Sequence, residues 1–275
     1  MSEILQGKQL AQTIRDKVAK EITKHGKPLG LAAILVGNNP ASKLYVSLKE
    51  KAAKEVGMYF ERFEFDKKVS NKKLIDQIKE LNERDDIHGI LVQFPLPNQD
   101  ENKVIAALDP KKDIDGFNEN NKMRWGKEDE AIFPPVALAI EKLIKASHQP
   151  LEGKHAAVIA NSEIFAEPIQ VLLRENGIES ERFGKDESAL ASKTRGADII
   201  IVAVGEADFI KADMVKEGAI VIDVGTNKKD GKNVGDVSPD VNGIVGFISP
   251  VPGGVGPLTV AYLLKNVTEA AQLQK

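Results

Sequence analysis

The sequence lacks cysteine and contains few aromatic residues, which make up 5% of the chain. The absence of cysteine excludes a disulfide scaffold, a thiolate nucleophile and a cysteine-bound zinc site. No run of about 18 apolar residues occurs, so no segment is a candidate for a membrane-spanning helix. The first residues also lack the basic and apolar regions of an export signal. We therefore expect no membrane partner and a cytoplasmic protein.

Neither sign of charge predominates, because 38 Lys and Arg residues stand against 41 Asp and Glu residues, for a net charge of -3. This near balance argues against nucleic acid as a partner. A hydrophobic share of 42% and a charged share of 29% are ordinary for a folded protein. The 275 residues are enough for one large domain or two modest ones.

The order of apolar patterns predicts an α/β protein with two domains. Before residue 100, helical patterns alternate three times with short apolar strands, so parallel pairing through right-handed crossovers is expected. Residues 110–135 are polar and rich in turn-forming residues, which predicts a loop or linker. A second alternating series follows residue 155, with helices expected at 168–177 and 212–218. Its continuous Val/Ile strands predict a doubly wound, Rossmann-like domain.

Several polar residues stand where such a fold binds ligands. Tyr45 and Lys49 are one helical turn apart, so both project from one face, although an amphipathic helix with a packed Tyr and a solvated Lys has the same spacing. Gln93 ends the strand GILVQ, where it reaches either a ligand or loop backbone. Asp115 lies in the DID segment before Gly116, which is also a pattern typical of a turn.

The segment SPVPGGVGPLT is the most specific signal in the chain. It carries three Pro and three Gly within eleven residues and precedes a predicted helix. Such a segment predicts a rigid loop that a flat ligand or another backbone segment approaches closely. The strand segment VIDVGTN similarly ends in Gly225, where the backbone must turn.

Five segments together resemble the bifunctional methylenetetrahydrofolate dehydrogenase/methenyltetrahydrofolate cyclohydrolases: ASKLYVSLKEKAAKEVG, GILVQFPLP, KDIDGF, GAIVIDVGTN and PVPGGVGPLT. The resemblance extends from about residue 4 to the C-terminus. It implies a folate-binding catalytic domain of residues 1–136 plus 259–275 and a Rossmann-like NAD(P)-binding domain of residues 137–258. It also implies an oxidoreductase and hydrolase of one-carbon metabolism and purine biosynthesis, acting as a homodimer.

The resemblance assigns roles to individual residues. Lys49 matches the family's catalytic lysine, Tyr45 its positioning tyrosine, Gln93 the partner of that lysine, and Asp115 the carboxylate that holds the pterin. The implied substrate-binding residues are Tyr45, Gln93, Asp115, Pro252, Gly253 and Gly254. The implied nucleotide-binding residues are Ala160, Asn161, Ser162 and Thr226, and no metal ligand is expected.

The implied chemistry explains these residue types. Oxidation removes a hydride from the methylene carbon and needs accurate placement against the nicotinamide. Hydrolysis of the methenyl cation to 10-formyltetrahydrofolate needs a proton to be moved. A lysine does this near neutral pH if desolvation and a neighbouring cation lower its pKa from about 10.4 toward about 7 or 8.

The nucleotide side departs from the family pattern. The family's GRSxxVGxP loop reads ANSEIFAEP at residues 160–168, without either glycine or the arginine that meets the 2'-phosphate of NADP. We expect Glu167 to lie at a helix N-terminus and repel a phosphate. The family's His-Ser-x-Thr region reads FGKDE at residues 183–187, where Asp186 and Glu187 favour the free ribose hydroxyl of NAD. Arg182 and Lys185 lie nearby and offset part of this change.

Three functions remain open on these residues. The first is the full dehydrogenase and cyclohydrolase, with NADP by resemblance or NAD instead. The second is a cyclohydrolase with a degenerate nucleotide site. The third is a noncatalytic folate-binding homologue, against which the presence of Tyr45, Lys49, Gln93 and Asp115 argues.

Overall fold

The computed structural model describes residues 1–127 and 131–275. The helices are α1 (Gly7–His25), α2 (Pro40–Glu55), α3 (Asn71–Asn82), α4 (Glu101–Ala106), α5 (Glu119–Arg124), α6 (Pro135–Lys145), α7 (Glu163–Glu175), α8 (Leu190–Thr194) and α9 (Val255–Leu273). The strands are β1 (Glu3–Ile4), β2 (Gly30–Val36), β3 (Tyr59–Phe65), β4 (Gly89–Val92), β5 (His155–Ala160), β6 (Glu179–Phe183), β7 (Ile199–Ala203), β8 (Ile220–Asp223), β9 (Asn227–Lys229), β10 (Lys232–Val234) and β11 (Phe247–Ile248).

The chain forms two compact units. The three-stranded unit consists of Gln12–Pro135 and Val260–Lys275, and the six-stranded unit of Met1–Ala11 and Val136–Thr259. The first eleven residues, which the sequence assigns to the folate-binding domain, therefore group with the six-stranded unit. The reason is backbone pairing, since β1 joins β11 at the edge of the larger sheet.

The three-stranded unit is built on a parallel sheet in the order β3-β2-β4. All residues of β2 are buried, as its continuous apolar sequence predicts. On one face, side chains of β2 and β4 pack with Leu74, Ile78 and Leu81 of α3. These three residues recur at helical spacing, so a single stripe of α3 covers the sheet. The parallel pairing predicted from the alternating pattern is confirmed.

The six-stranded unit has a wholly parallel sheet in the order β1-β11-β8-β7-β5-β6. Strand β5 is central to its topology, because the chain leaves it through α7 to β6 on one side and then returns to β7 on the other. This reversal is the point at which doubly wound folds bind ligands beyond the carboxyl ends of their strands. The predicted α/β fold class with a Rossmann-like domain is confirmed.

In the six-stranded unit, the predicted start of one helix is wrong and a second predicted helix is not formed. Helix α7 begins at Glu163 rather than at Pro168, because Pro168 is buried inside the helix and packing outweighs the hydrogen bond that it cannot donate. The segment 212–218 contains only a short 3-10 turn at Ala212–Met214. Val215 follows in an extended conformation and is buried in the core, so tertiary packing overrides the short helical pattern.

The predicted polar loop at residues 110–135 contains local structure. It includes the short helix α5, capped by the side chain of Asn118, and residues 128–130 lie outside the described part. Among the described residues, no helix combines the length and the apolar character needed to cross a membrane.

Candidate functional site

A side-chain hydrogen bond in the three-stranded unit joins two of the predicted site residues, Lys49 and Gln93. Helix α2 begins at Pro40, where the Asn39 side chain accepts hydrogen bonds from two backbone amides, and it carries Lys49 in its third turn. Gln93 is the first residue after β4. The Nζ atom of Lys49 donates to Oε1 of Gln93 at 3.0 Å, and Nε2 of Gln93 donates to the carbonyl of Phe94 at 2.8 Å. The second bond fixes which end of the amide faces the lysine.

The ionisation of Lys49 is shifted in the direction that proton transfer requires. Burial lowers the pKa of Lys49 from its usual value, and the negative charge of Asp115 opposes part of that change. Burial raises the pKa of Asp115, while Lys49 opposes this shift. Asp115 makes no hydrogen bond through its carboxylate to any described residue. A partly desolvated amine thus lies near a carboxylate that has acceptor capacity left for a ligand.

Asp113 organises the loop that presents Asp115. Its carboxylate accepts hydrogen bonds from the backbone amides of Gly116 at 3.1 Å and Asn118 at 2.6 Å, and from the side chain of Asn121 at 3.3 Å. Burial raises the pKa of Asp113 to about 6. The turn expected for the DID segment is present, and Asp113 is the residue that makes it.

Two further side chains hold the same loop. Asn266 on α9 donates through Nδ2 to the carbonyls of Ile114 at 2.8 Å and Phe133 at 2.9 Å. Lys112 is buried and donates through Nζ to three carbonyls at the end of α3: Leu81, Asn82 and Arg84. Sequence analysis missed both residues. Lys112 gives a weak signal as the first residue of the KDIDGF segment, whereas nothing local to Asn266 indicates a contact 152 residues away.

Tyr45 is a predicted site residue that the described part of the structure does not hold by a hydrogen bond. It lies one turn before Lys49 on α2, has 43% of its surface exposed, and donates no hydrogen bond to any described residue. The structure therefore brings Lys49, Gln93 and Asp115 together and leaves Tyr45 at the helix surface. An exposed phenol at this position has its hydroxyl available to a ligand.

The six-stranded unit carries a second cluster at the carboxyl edge of its sheet. Ala160 ends β5, and the next residue, Asn161, donates through Nδ2 to the carbonyl of Val204 after β7 at 3.5 Å. This contact spans the two strands that flank the reversal of strand order. Asn161 and Ser162 are exposed at this edge. Their position is the one at which doubly wound folds bind a nucleotide.

The start of α7 lacks a side-chain cap. Ser162 occupies the N-cap position, but its side chain makes no capping hydrogen bond, so the first backbone amides of the helix are not satisfied by it. The expected position of Glu167 is wrong, since Glu163 is the acidic residue of the first turn and Glu167 lies a turn further along. Glu163 thus brings to this terminus the negative charge expected of Glu167, while the uncapped backbone amides still offer donors to an anion.

A pair of buried carboxylates shapes the neighbouring loops of this edge. Asp236 accepts hydrogen bonds from three consecutive amides after β7: Val204, Gly205 and Glu206. Asp223, at the end of β8, accepts from Gly225, Asp236 and Val237. A Cβ atom at Gly225 would lie 2.2 Å from the Asp236 carboxyl, which explains the glycine. The turn leaves Thr226 exposed immediately after it.

The proline- and glycine-rich loop leads into α9. Gly253 adopts a φ of 117°, and the amide of Gly254 donates to the carbonyl of Pro250 at 2.8 Å. A Cβ atom on Gly7 would lie 1.8 Å from the Gly254 carbonyl oxygen, so the backbone segments approach as closely as the sequence predicts. Pro252, Gly253 and Gly254 all lie in the six-stranded unit. No group of acidic or histidine residues among the described parts has a metal-binding arrangement.

Two family models match the chain. Residues 5–115 match the tetrahydrofolate dehydrogenase/cyclohydrolase catalytic domain. Residues 134–275 match the tetrahydrofolate dehydrogenase/cyclohydrolase NAD(P)-binding domain. The curated bifunctional protein FolD of Lysinibacillus sphaericus (strain C3-41) is 42% identical over 280 residues, which covers 98% of both chains.

Two solved structures are similar along the whole chain. The bifunctional enzyme FolD, methylenetetrahydrofolate dehydrogenase/cyclohydrolase, of Campylobacter jejuni has a TM-score of 0.96 and 37% identity, and covers 100% of each chain. The methylenetetrahydrofolate dehydrogenase-cyclohydrolase of Trypanosoma brucei, solved with NADP and an inhibitor, has a TM-score of 0.94 and 30% identity. It covers 99% of this chain and 98% of the trypanosome chain.

Proposed function

Because this chain belongs to the tetrahydrofolate dehydrogenase/cyclohydrolase family, we propose that it interconverts 5,10-methylene-, 5,10-methenyl- and 10-formyltetrahydrofolate. The reactions are an NAD(P)-dependent oxidation and a hydrolysis. The full-length relatives are bifunctional enzymes, and they give no support to a cyclohydrolase without dehydrogenase activity or to a noncatalytic homologue.

The hydrogen bond from Lys49 to Gln93 is the observation that carries this proposal. We assign proton transfer to Lys49, orientation of its amine to Gln93, and binding of the pterin to Asp115. The carboxylate of Asp115 has acceptor positions for the amino and ring N–H groups of a pterin. Tyr45 contributes a hydroxyl that positions the substrate beside the amine.

In the hydrolysis, a water oxygen bonds to the methenyl carbon while the neutral amine of Lys49 takes a proton from that water. The resulting ammonium then donates its proton to N5 as the bond between N5 and the carbon breaks. The remaining hydroxyl proton passes to solvent, leaving the formyl group on N10. The lowered pKa of Lys49 supports this cycle because it raises the fraction of neutral amine near neutral pH.

We assign nucleotide binding to the six-stranded unit. Ala160, Asn161, Ser162 and Thr226 lie at the carboxyl edge of its sheet and would hold the dinucleotide beside the start of α7. When bound, NAD(P) supplies the acceptor for the hydride of the methylene carbon. We assign Pro252, Gly253 and Gly254 to the folate substrate, as the resemblance implies. Pro252 is exposed, and the two buried glycines carry no side chain that would obstruct a flat ligand.

We also propose a homodimer that acts in the cytoplasm and serves purine biosynthesis, with no nucleic acid as a partner. The net charge of -3 supports the last point. Light scattering coupled to gel filtration measures the mass in solution, and a monomeric mass at micromolar concentration would contradict the dimer.

Lys49→Ala tests the assignment of proton transfer, with Lys51→Ala as the matched control. Lys51 lies on the same helix with 76% of its side chain exposed. Loss of methenyltetrahydrofolate absorbance measures hydrolysis, and reduction of NADP+ or NAD+ with methylenetetrahydrofolate measures oxidation. Removal of a general base lowers rates by about 100- to 10,000-fold. We expect the rate of hydrolysis to fall by this factor in Lys49→Ala and to stay unchanged in Lys51→Ala. Equal rates of hydrolysis in the two variants would refute the assignment.

A further inference from the structure

Arg182 lies at the point where a doubly wound fold reads the 2' position of the nucleotide ribose. It is in β6, the second strand of the nucleotide-binding series, and its Nη1 atom donates to the carbonyl oxygen of Ala160 at 3.3 Å. Ala160 ends β5 and precedes the exposed residues Asn161 and Ser162. The guanidinium is therefore held against the end of β5, beside the residues assigned to the nucleotide.

Two charged side chains at this corner differ in their ion pairing. Glu187, one of the two acids expected to face the ribose, forms an ion pair with Lys193 of α8 at 2.5 Å. Arg182 forms no ion pair with any described carboxylate, and the contact to Ala160 uses only one of its several N–H donors. The remaining donors form a planar fork that suits two oxygens of a phosphate.

The ribose 2' group distinguishes the two nicotinamide nucleotides. In doubly wound folds an acidic residue after the second strand accepts a hydrogen bond from the 2'-hydroxyl of NAD, whereas a nearby arginine accommodates the 2'-phosphate of NADP. Asp186 follows β6 and is exposed, so the sequence offers both chemistries at once. The contact between Arg182 and Ala160 supports the arginine, because it holds the guanidinium at the end of the neighbouring strand β5.

We propose that Arg182 binds the 2'-phosphate of NADP and gives the enzyme its preference for NADP over NAD. This inference rests on the proposed dehydrogenase function. Asn161 stands where the family's loop after β5 has an arginine, so that loop supplies no positive charge. Arg182 on β6 would supply it instead.

Binding of nucleotide fragments tests the inference without catalysis. Adenosine 2',5'-bisphosphate and adenosine 5'-monophosphate differ only in the 2'-phosphate, and calorimetry measures the affinity of each for the wild type, Arg182→Ala and Arg182→Lys. A hydrogen-bonded charge is worth about 1.5 to 3 kcal/mol, so we expect Arg182→Ala to bind the bisphosphate about 10- to 100-fold more weakly. We expect a smaller loss in Arg182→Lys, which keeps the charge without the fork.

Arg174→Ala is the matched control, because Arg174 is an exposed arginine in the last turn of α7 and its loss changes the net charge equally. We expect this variant to bind the bisphosphate like the wild type. An equal loss in Arg174→Ala would overturn the assignment by showing an effect of net charge alone. Unchanged affinity in Arg182→Ala would also overturn it, and thermal unfolding of each variant verifies that the fold is intact.

Titration with intact NADP and NAD separates this inference from the proposed function. We expect NADP to lose affinity in Arg182→Ala and NAD to keep it. Tighter binding of NAD than of NADP by the wild type would assign recognition to Asp186 and refute the role of Arg182 while leaving the dehydrogenase intact. Binding of neither nucleotide would refute the dehydrogenase itself, and the inference with it.

Discussion

The side-chain amide of Asn266 donates a hydrogen bond of 2.8 Å to the backbone carbonyl of Ile114. Ile114 immediately precedes Asp115, so α9 fixes the backbone that presents the proposed pterin-binding carboxylate. The same amide nitrogen also donates a hydrogen bond to the backbone carbonyl of Phe133. The Oδ1 atom of Asn266 is buried and has no hydrogen-bond partner among the described residues. Asn266 is therefore a positioning residue rather than a substrate contact.

Asn266→Ala should raise the KM for methenyltetrahydrofolate more than it lowers kcat, because Asp115 loses its fixed position. Two carbonyls also lose their donor, which costs about 1 to 3 kcal/mol of stability. Asn176→Ala is the control, since Asn176 likewise donates two hydrogen bonds, to Glu141 and Leu172 in the six-stranded unit. Steady-state kinetics and thermal unfolding of both variants measure the effects. If both variants are destabilised but Asn266→Ala keeps the KM of the wild type, the positioning role is contradicted.

Asp115→Asn should lower the pKa of Lys49 further. The negative charge of Asp115 favours the ammonium form of Lys49, so its removal leaves burial unopposed. The rate of acetylation of Lys49 by acetic anhydride as a function of pH, followed by mass spectrometry, measures this pKa in the free protein. Lys51 serves as the internal standard. An unchanged or raised inflection for Lys49 in Asp115→Asn would contradict the coupling.

Asp223 should make the stability of the wild type fall as pH rises from about 4 to about 6. Burial raises its pKa to about 6, whereas an aspartate in the unfolded chain titrates near about 3.9. Between these values the folded state binds more protons, so the contribution of Asp223 to the free energy of unfolding decreases with pH by up to about 3 kcal/mol. Asp223→Asn removes this titration. Urea unfolding between about pH 4 and pH 6 measures the free energy of unfolding of the wild type and of Asp223→Asn. The same pH dependence in both proteins would exclude the effect.

Asn39→Ala should destabilise the start of α2, which carries the proposed catalytic lysine. The Asn39 side chain accepts hydrogen bonds from Ala41 at 2.9 Å and Ser42 at 3.2 Å. Loss of an N-cap costs about 1 kcal/mol, equivalent to a fall in melting temperature of about 2–4 °C. Ser162→Ala at the start of α7 should cost less, since Ser162 makes no capping bond. Calorimetry compares the two, and equal falls would contradict the assignment of the cap.

The sheet and the main helices could be predicted because their signals are local. The buried run of β2 and the apolar stripe of α3 follow directly from periodicity. The start of α7 is harder to predict, because a proline is typical of the first turn of a helix, whereas Pro168 is buried in the interior of α7. The helix prediction for residues 212–218 is wrong because a seven-residue helix is too unstable to outweigh the burial of Val215 in an extended conformation.

The candidate residues on the folate side were visible in the sequence, but the groups that hold them were not. Lys49 and Asp115 were found through the segments that resemble the family. The contacts of Lys112 and Asn266 do not follow from those segments, because each side chain binds backbone carbonyls of distant segments that carry no sequence signal.

The sequence by itself determined the alternation of strands and helices, the absence of thiol chemistry and the set of polar residues near strand ends. These properties depend on residue type and spacing, which a chain carries whether or not it is folded. Only the tertiary structure decided that Asn266 holds the Asp115 loop and that Arg182 lies against Ala160. Such contacts join residues far apart in the chain, and their geometry exists only once the sheets and helices have packed.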